Sequence, residues 1–269
     1  LLITHYSLPV SFSFSQLKAY ETCPYQYYLN FIVKIPTPGR ANFSFGKTMH
    51  AVLQRFFSLI KERGGTEQGD LFGKVNSQQL AANNTNLPPL EELLKIYQES
   101  WFDDWYDDKT QKEKYRELGE KSLRGLYQEL ETNGAPQVFA LERDFNLKIG
   151  GYTIKGRIDR VDLIKKDPNS QDSPEISSNS QNQTSPTVQA VELIDYKTGT
   201  PKTEKLVEKD QLLIYQMAGE EVFGWSVEKL TFYYLDNNSE VSFLGELKDR
   251  EKQKEEILAT IEKINSGNF

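Results

Sequence analysis

With 269 residues, 38% of them hydrophobic, 12% aromatic and 26% charged, the chain has the make-up of a folded globular protein, not a disordered one. No apolar run reaches the roughly 20 residues that span a bilayer, and a net charge of -7 argues against holding nucleic acid through bulk charge. The one cysteine, Cys23, excludes an internal disulfide framework and fits a reducing compartment, so a cytoplasmic location is expected. The opening residues Leu1 to Pro9 hold neither a basic region nor a long apolar one nor an initiator Met, and they read as the start of a domain cut from a longer chain, not as a signal peptide.

Taken in order, Ser13 and Ser15 precede Gln16-Leu17-Lys18-Ala19-Tyr20-Glu21, which predicts a serine-capped helix with Glu21 in its early turns. Pro24 predicts a break, and a second helical stretch follows until Pro36 and Pro38. Apolar residues at 45, 49, 52, 53, 56 and 60 have helical spacing. From Lys61 to Pro89 the chain turns polar and reads as a long loop. Leu90 to Trp105 and Lys112 to Leu130 read as two helices of an inserted helical region spanning 90–133, with Trp101 and Trp105 one turn apart as core anchors. Phe145, Leu147 and Ile149 alternate with polar residues, Gly150-Gly151 makes a turn, and Tyr152 to Ile164 resumes the strand pattern, so a β-hairpin is expected. Lys166 to Thr187 is too polar to pack and reads as a disordered loop. Val191 to Lys197 reads as a buried strand, Asp210 to Val222 as a helix, Leu230 to Leu244 as a second hairpin around Asp236-Asn237-Asn238, and Lys248 to Ile264 as a covering helix.

Chemistry concentrates on the strand Val191-Glu192-Leu193-Ile194-Asp195-Tyr196-Lys197. Strand alternation puts Asp195 and Lys197 on the face of Val191 and Leu193, so two charges prolong an apolar face. Buried charge needs a partner or a metal. If the preceding strand Lys155 to Leu163 pairs antiparallel so that Leu163 opposes Val191 and Val161 opposes Leu193, Asp159 falls opposite Asp195. Opposed carboxylates repel unless a cation lies between them, and an oxygen-only pair favours Mg²⁺ or Mn²⁺. Lys197 would then orient a water or stabilise a developing negative charge. Asp162 falls on the opposite face and reads as a surface or turn carboxylate. Glu142 reads either as a second acidic group near the cation or as an exposed strand residue. Lys155, Arg157, Arg160, Lys202, Lys205 and Lys209 flank these motifs and read either as a phosphate grip or as a solvated face.

Ser13-Phe14-Ser15 to Cys23-Pro24, Gly46-Lys47-Thr48-Met49-His50, Gly156-Arg157-Ile158-Asp159-Arg160, Asp195-Tyr196-Lys197-Thr198-Gly199 and Gln211-Leu212-Leu213-Ile214-Tyr215 occur in that order. In these motifs the chain resembles the PD-(D/E)XK nuclease superfamily, in its RecB-like branch. The resemblance implies an α/β core, a central mixed sheet flanked by helices. It also implies that His50, Asp159, Asp195 and the backbone carbonyl of Tyr196 ligate a catalytic Mg²⁺ or Mn²⁺, with Lys197 serving the attacking water. Gln211 and Tyr215, four apart on a helix, would contact substrate or brace the metal site. Many relatives carry a four-cysteine iron–sulfur cluster; a lone Cys23 cannot, and aromatic packing near Tyr20, Tyr27 and Phe31 is expected in place of that staple. The expected function is metal-dependent hydrolysis of DNA, as an exonuclease domain coupled to a helicase in repair or recombination. The competing readings are a silent nuclease fold that serves as a DNA- or protein-binding scaffold, and an enzyme acting on RNA, although nothing in the sequence reads a 2'-hydroxyl.

Overall fold

The structure is a computed structural model, and it describes residues 10–64, 86–164, 189–203 and 207–269. Ser13 ends a short strand, β1 (Ser11–Ser13), and caps α1 (Phe14–Thr22). Its Oγ accepts from the Gln16 N–H at 3.3 Å while Gln16 Oε1 accepts from the Ser13 N–H at 2.8 Å. This reciprocal pair satisfies donors that a helix start leaves bare. Gln16, not Glu21, completes the box, and Glu21 lies in the last turn. Pro24 opens α2 (Pro24–Tyr27) at the first helical position, where its missing N–H costs nothing, and a π-helical turn, Tyr28–Val33, follows.

The long helix α3 (Ala41–Gly64) buries Phe45, Met49, Val52, Leu53, Phe56 and Ile60, the stripe that the spacing predicts. It continues through Lys61–Gly64, which the polar composition assigned to a loop; Lys61 and Arg63 in the last turn suit the negative end of the helix dipole. Positions 65–85 of that stretch, the Lys166–Thr187 tract and Lys205 lie outside the described residues. Next, α4 (Leu90–Glu99) stops short of both tryptophans. The following run is rich in aspartate, which caps helices better than it extends them, and Asp108 caps α5 (Lys109–Asn133) by accepting from the Gln111 N–H at 2.7 Å. Trp101 and Trp105 are therefore not one turn apart on a helix. Trp101 stacks on Tyr106, with ring centroids 5.4 Å apart, and Trp105 is an exposed residue in the left-handed region, φ 65.

The expected hairpin forms between β2 (Val138–Ile149) and β3 (Tyr152–Leu163), with Gly150 at φ 57 in the turn. Then come β4 (Ala190–Lys197), α6 (Asp210–Glu221), β5 (Ser226–Tyr234), β6 (Ser239–Phe243) and α7 (Leu247–Asn265). The six strands make one mixed sheet in the order β1-β3-β4-β5-β6, with β2 on β3. β4 and β5 are parallel, which requires a crossover, and α6 supplies it. The β3–β4 register opposes Leu163 with Val191 and Val161 with Leu193, as the apolar matching predicts. That ladder ends at Arg160 and Ile194, one step before Asp159 and Asp195, while β1 pairs with β3 farther back at Thr153 to Lys155. A fork opens between the two pairings.

Each face of the sheet has its own core. One gathers Val191, Leu193, Leu212, Met217 and Ile261, so α1, α6 and α7 cover that face; the other gathers Phe56, Phe57, Leu93, Leu126, Ile194 and Tyr196 beneath α3, α4 and α5. This is the central mixed sheet flanked by helices that the motifs imply. Near the N-terminal helices, Tyr20 meets Tyr27 edge-on at 5.5 Å, Tyr27 lies 5.2 Å from Phe31, and Phe269 stacks on Tyr27 at 6.1 Å. The Tyr20 hydroxyl donates to the Asn268 carbonyl at 2.6 Å, so aromatic packing joins α1 and α2 to the residues after α7. Among the described residues no helix is long and apolar enough to cross a membrane.

Packing inside the hairpin relies on the absence of a side chain at Gly156. A Cβ there would stand 2.3 Å from the Phe145 ring, which faces it across the hairpin and packs edge-on against Tyr215 at 5.9 Å. Gly156→Ala is expected to cost about 1–3 kcal/mol, read as a lowered urea midpoint at constant slope; an unchanged midpoint would show that the Phe145 ring can step aside.

Candidate active site

The site is assembled from β4 outward. Asp195 is only 2% exposed, on the face that α6 covers. Gln211 Nε2 donates to Asp195 Oδ1 at 2.7 Å, and the Tyr215 hydroxyl donates to the same oxygen at 3.2 Å. One helical turn separates Gln211 and Tyr215, which lets both reach one carboxylate, and they touch each other at 3.0 Å. Lys197 Nζ donates to Gln211 Oε1 at 2.7 Å, with its ammonium over the Phe232 ring. The same ammonium lies 2.6 Å from Asp195 Oδ2, but outside hydrogen-bonding geometry, so that buried oxygen accepts no hydrogen bond. Burial and the Asp195 charge push the Tyr215 phenol far above its usual range, which keeps it a donor.

Asp159 stands at the fork. Beyond the last ladder pair, the Tyr196 N–H donates to Asp159 Oδ2 at 2.9 Å, a side-chain bond where strand pairing has ended. His50 comes from α3, on the opposite layer, and its Nδ1 lies 3.5 Å from the same Oδ2. Glu142 lies on β2 between Leu141 and Arg143, whose partners are Arg160 and Ile158, so it falls opposite Asp159. Its φ of 45 is a left-handed conformation unusual for a non-glycine residue in a strand, and such strain clusters at functional sites. His50, Glu142 and Asp159 each offer a ligand atom within 4.8 Å of one another. Burial, with the Asp195 charge adding to it, holds the Asp159 carboxyl well above the usual carboxylate range.

The other face of the same strands carries a charge pair. Arg160 Nη1 donates to the Tyr196 hydroxyl at 2.7 Å, Arg160 Nε is 3.0 Å from Asp162 Oδ2, and the guanidinium carbon sits 4.2 Å from the Phe57 ring centre. Burial raises the Asp162 carboxyl, and Arg160 partly opposes that. Burial would lower the Arg160 guanidinium, yet the Asp162 charge leads the groups that more than offset it, and the net shift is upward.

The structure thus brings His50 and Asp159 together with Glu142, and Asp195 with Lys197, Gln211 and Tyr215; the two groups meet through Tyr196, whose N–H bonds Asp159. Asp195 is not a member of the close His50–Glu142–Asp159 group. Two readings of flanking charges are corrected. Arg160 is buried, so it neither grips phosphate nor belongs to a solvated face, and Asp162 is its buried partner, not a surface or turn carboxylate, because strand alternation turns both inward toward α3. Arg157 is tied to Asp144 at 2.6 Å. The Arg160–Tyr196 bond was missed by sequence reasoning, although Arg160 and Asp162 share parity opposite to Asp159, a signal for a second polar cluster.

The donor set suits a hard divalent cation: carboxylate oxygens of Glu142 and Asp159, one imidazole nitrogen, and a buried Asp195 oxygen lacking a hydrogen-bond donor. No curated protein sequence matches the chain. The crystal structure of SSO0001 is similar over 56% of this chain and 67% of that one, at 20% identity and a TM-score of 0.30, a likeness that carries no argument. The model of the PD-(D/E)XK nuclease superfamily matches residues 11–172 and 185–269, and these segments hold every residue of the fork. With nearly its whole length matched, the chain belongs to the PD-(D/E)XK nuclease superfamily.

Proposed function

We propose that the domain hydrolyses DNA phosphodiester bonds with Mg²⁺ or Mn²⁺, as an exonuclease of the RecB-like branch serving a cytoplasmic helicase in repair or recombination. In this reading 90–133 is a helical insertion in one nuclease domain. The observation that carries the activity is the buried pair Asp159 and Asp195 at the strand fork, with Lys197 beside it and His50 and Glu142 closing the Asp159 side. Two buried carboxylates whose charges repel are a poor structural pair and a good cation site.

His50, Asp159, Asp195 and the Tyr196 carbonyl would hold the cation, and Glu142 joins them as a further acidic group. When bound, a divalent cation supplies a stronger water nucleophile and offsets charge on the phosphodiester. Lys197, steadied by Gln211, meets the negative charge that develops on phosphate as water attacks. Gln211 and Tyr215 fix Asp195 by donating to its Oδ1, so that Oδ2, with the Lys197 ammonium 2.6 Å away, is the oxygen left for the cation. Asp159 has one oxygen committed to the Tyr196 N–H, so its orientation is set before metal arrives.

Incubation with end-labelled single- and double-stranded DNA tests this. Cleavage is expected with Mg²⁺ or Mn²⁺ and none with EDTA, and Glu142→Gln is expected to lower the rate by about 10–100-fold. DNA retained without cleavage under either metal would establish the silent scaffold instead, and cleavage of RNA but not DNA would overturn the substrate.

A further inference from the structure

A charge buried beneath the fork ties together three elements that meet there. Arg160 on β3 donates to the Tyr196 hydroxyl on β4 at 2.7 Å and lies over Phe57 of α3. As a source of stability this is a weak device, since apolar side chains of the same volume do as well as a buried ion pair or better. What a guanidinium adds is direction, because its donors form a rigid fork and Tyr196 can meet one of them in only one place.

Tyr196 is the residue whose position matters. It stands between Asp195 and Lys197; its N–H bonds Asp159 at 2.9 Å, and its ring meets the edge of His50 at 6.0 Å. Backbone pairing between β3 and β4 stops at Arg160 and Ile194, so beyond that step the separation of the two strands rests on side chains. Asp159 crosses the fork to the Tyr196 backbone, and Arg160 crosses it to the Tyr196 hydroxyl. We infer that Arg160 is a positioning residue: through the Tyr196 hydroxyl it sets the spacing of Asp159, Asp195 and Lys197. This inference rests on the metal-dependent nuclease reading above.

Two variants test it. Tyr196→Phe removes one hydroxyl and keeps the ring, and Arg160→Met with Asp162→Leu removes the buried pair without orphaning either charge. For each, the melting temperature, Mn²⁺ affinity by calorimetry without DNA, and kcat and KM on single-stranded DNA are measured. The expected result is a melting temperature near that of the wild type and Mn²⁺ affinity weaker by roughly 10–100-fold. With it kcat falls, partly restored by excess Mn²⁺, while KM for DNA changes little. Wild-type Mn²⁺ affinity and kcat in folded variants would overturn the positioning role, as would losses that merely follow the unfolded fraction. A wild-type protein that neither binds Mn²⁺ nor cuts DNA would overturn the nuclease reading itself, and this role with it, and the control alone would reveal that.

Discussion

Lys197→Ala is expected to lower DNA cleavage by on the order of 10²–10³-fold at saturating metal, the scale of losing one preorganised donor to developing charge. Its effect should fall on the chemical step. The ammonium is held by Gln211 Oε1 at 2.7 Å and the side chain is 35% exposed, so its removal neither empties the core nor strips Asp195 of the bonds from Gln211 and Tyr215. Metal affinity should change little or improve, because a cation 2.6 Å from Asp195 Oδ2 competes with any metal at that oxygen. Asp195→Ala should be more severe and of a different kind: cleavage falls below detection and metal affinity falls with it. Single-turnover cleavage and calorimetry across an Mn²⁺ titration separate the two, since the lysine variant should fill with metal as readily as the wild type and still cut slowly, whereas the aspartate variant should fill only at much higher metal. Equal degradation by wild type and both variants would sink the assignment of Asp195 and Lys197.

The β4 network was legible because it is local. Asp195 and Lys197 lie on one strand, Gln211 and Tyr215 on one helical turn, and the periods of strand and helix place them before any tertiary structure is known. The register of the β3–β4 ladder was legible for a similar reason: only one alignment of the two strands sets Val161 against Leu193 and Leu163 against Val191. His50 was found through a resemblance, not through physics, because nothing about a histidine on an apolar helix says which strand it will face. Glu142 stood undecided since its role depends on a left-handed backbone angle within β2, and a periodic pattern cannot register a local reversal of that kind.

Arg160 shows the opposite failure. The charges around it in sequence leave a phosphate grip and a solvated face both open, and burial against Phe57 with the bond to Tyr196 excludes the two alike. The two tryptophans failed at an element boundary. Helical spacing connected them, but α4 ends at Glu99 with Ser100 as its C-cap, and α5 starts only after its Asp108 cap. For the tryptophans the outcome turned on which of two competing local preferences prevailed, and for Arg160 it turned on long-range contacts that charge alone does not report.

Asp159→Asn is expected to abolish cleavage while making the metal-free protein more stable at neutral pH, by on the order of 1 kcal/mol, or roughly 2–4 °C in melting temperature for a chain of this size. The amide oxygen can still accept the Tyr196 N–H, so the cross-strand bond survives. What disappears is a carboxylate buried beside Asp195, a charge useful only when metal is bound. The pH dependence carries the sign. Because the folded-state carboxyl is held well above its usual range, the folded protein binds that proton more tightly than the unfolded chain does. The resulting stabilisation is full below the unfolded carboxylate value of about 3.9 and is lost as pH rises through the folded value. Metal-free wild type should therefore lose stability between acid and neutral pH, and the variant should lose less. Some slope will remain, since burial also raises Asp162 and Asp210. Added Mn²⁺ should raise the melting temperature of the wild type most at the alkaline end, where the carboxylate is charged, and leave the variant nearly unmoved. A variant that melts below the wild type without metal, or that gains as much from Mn²⁺, would show that Asp159 is a structural carboxylate and would remove it from the metal site.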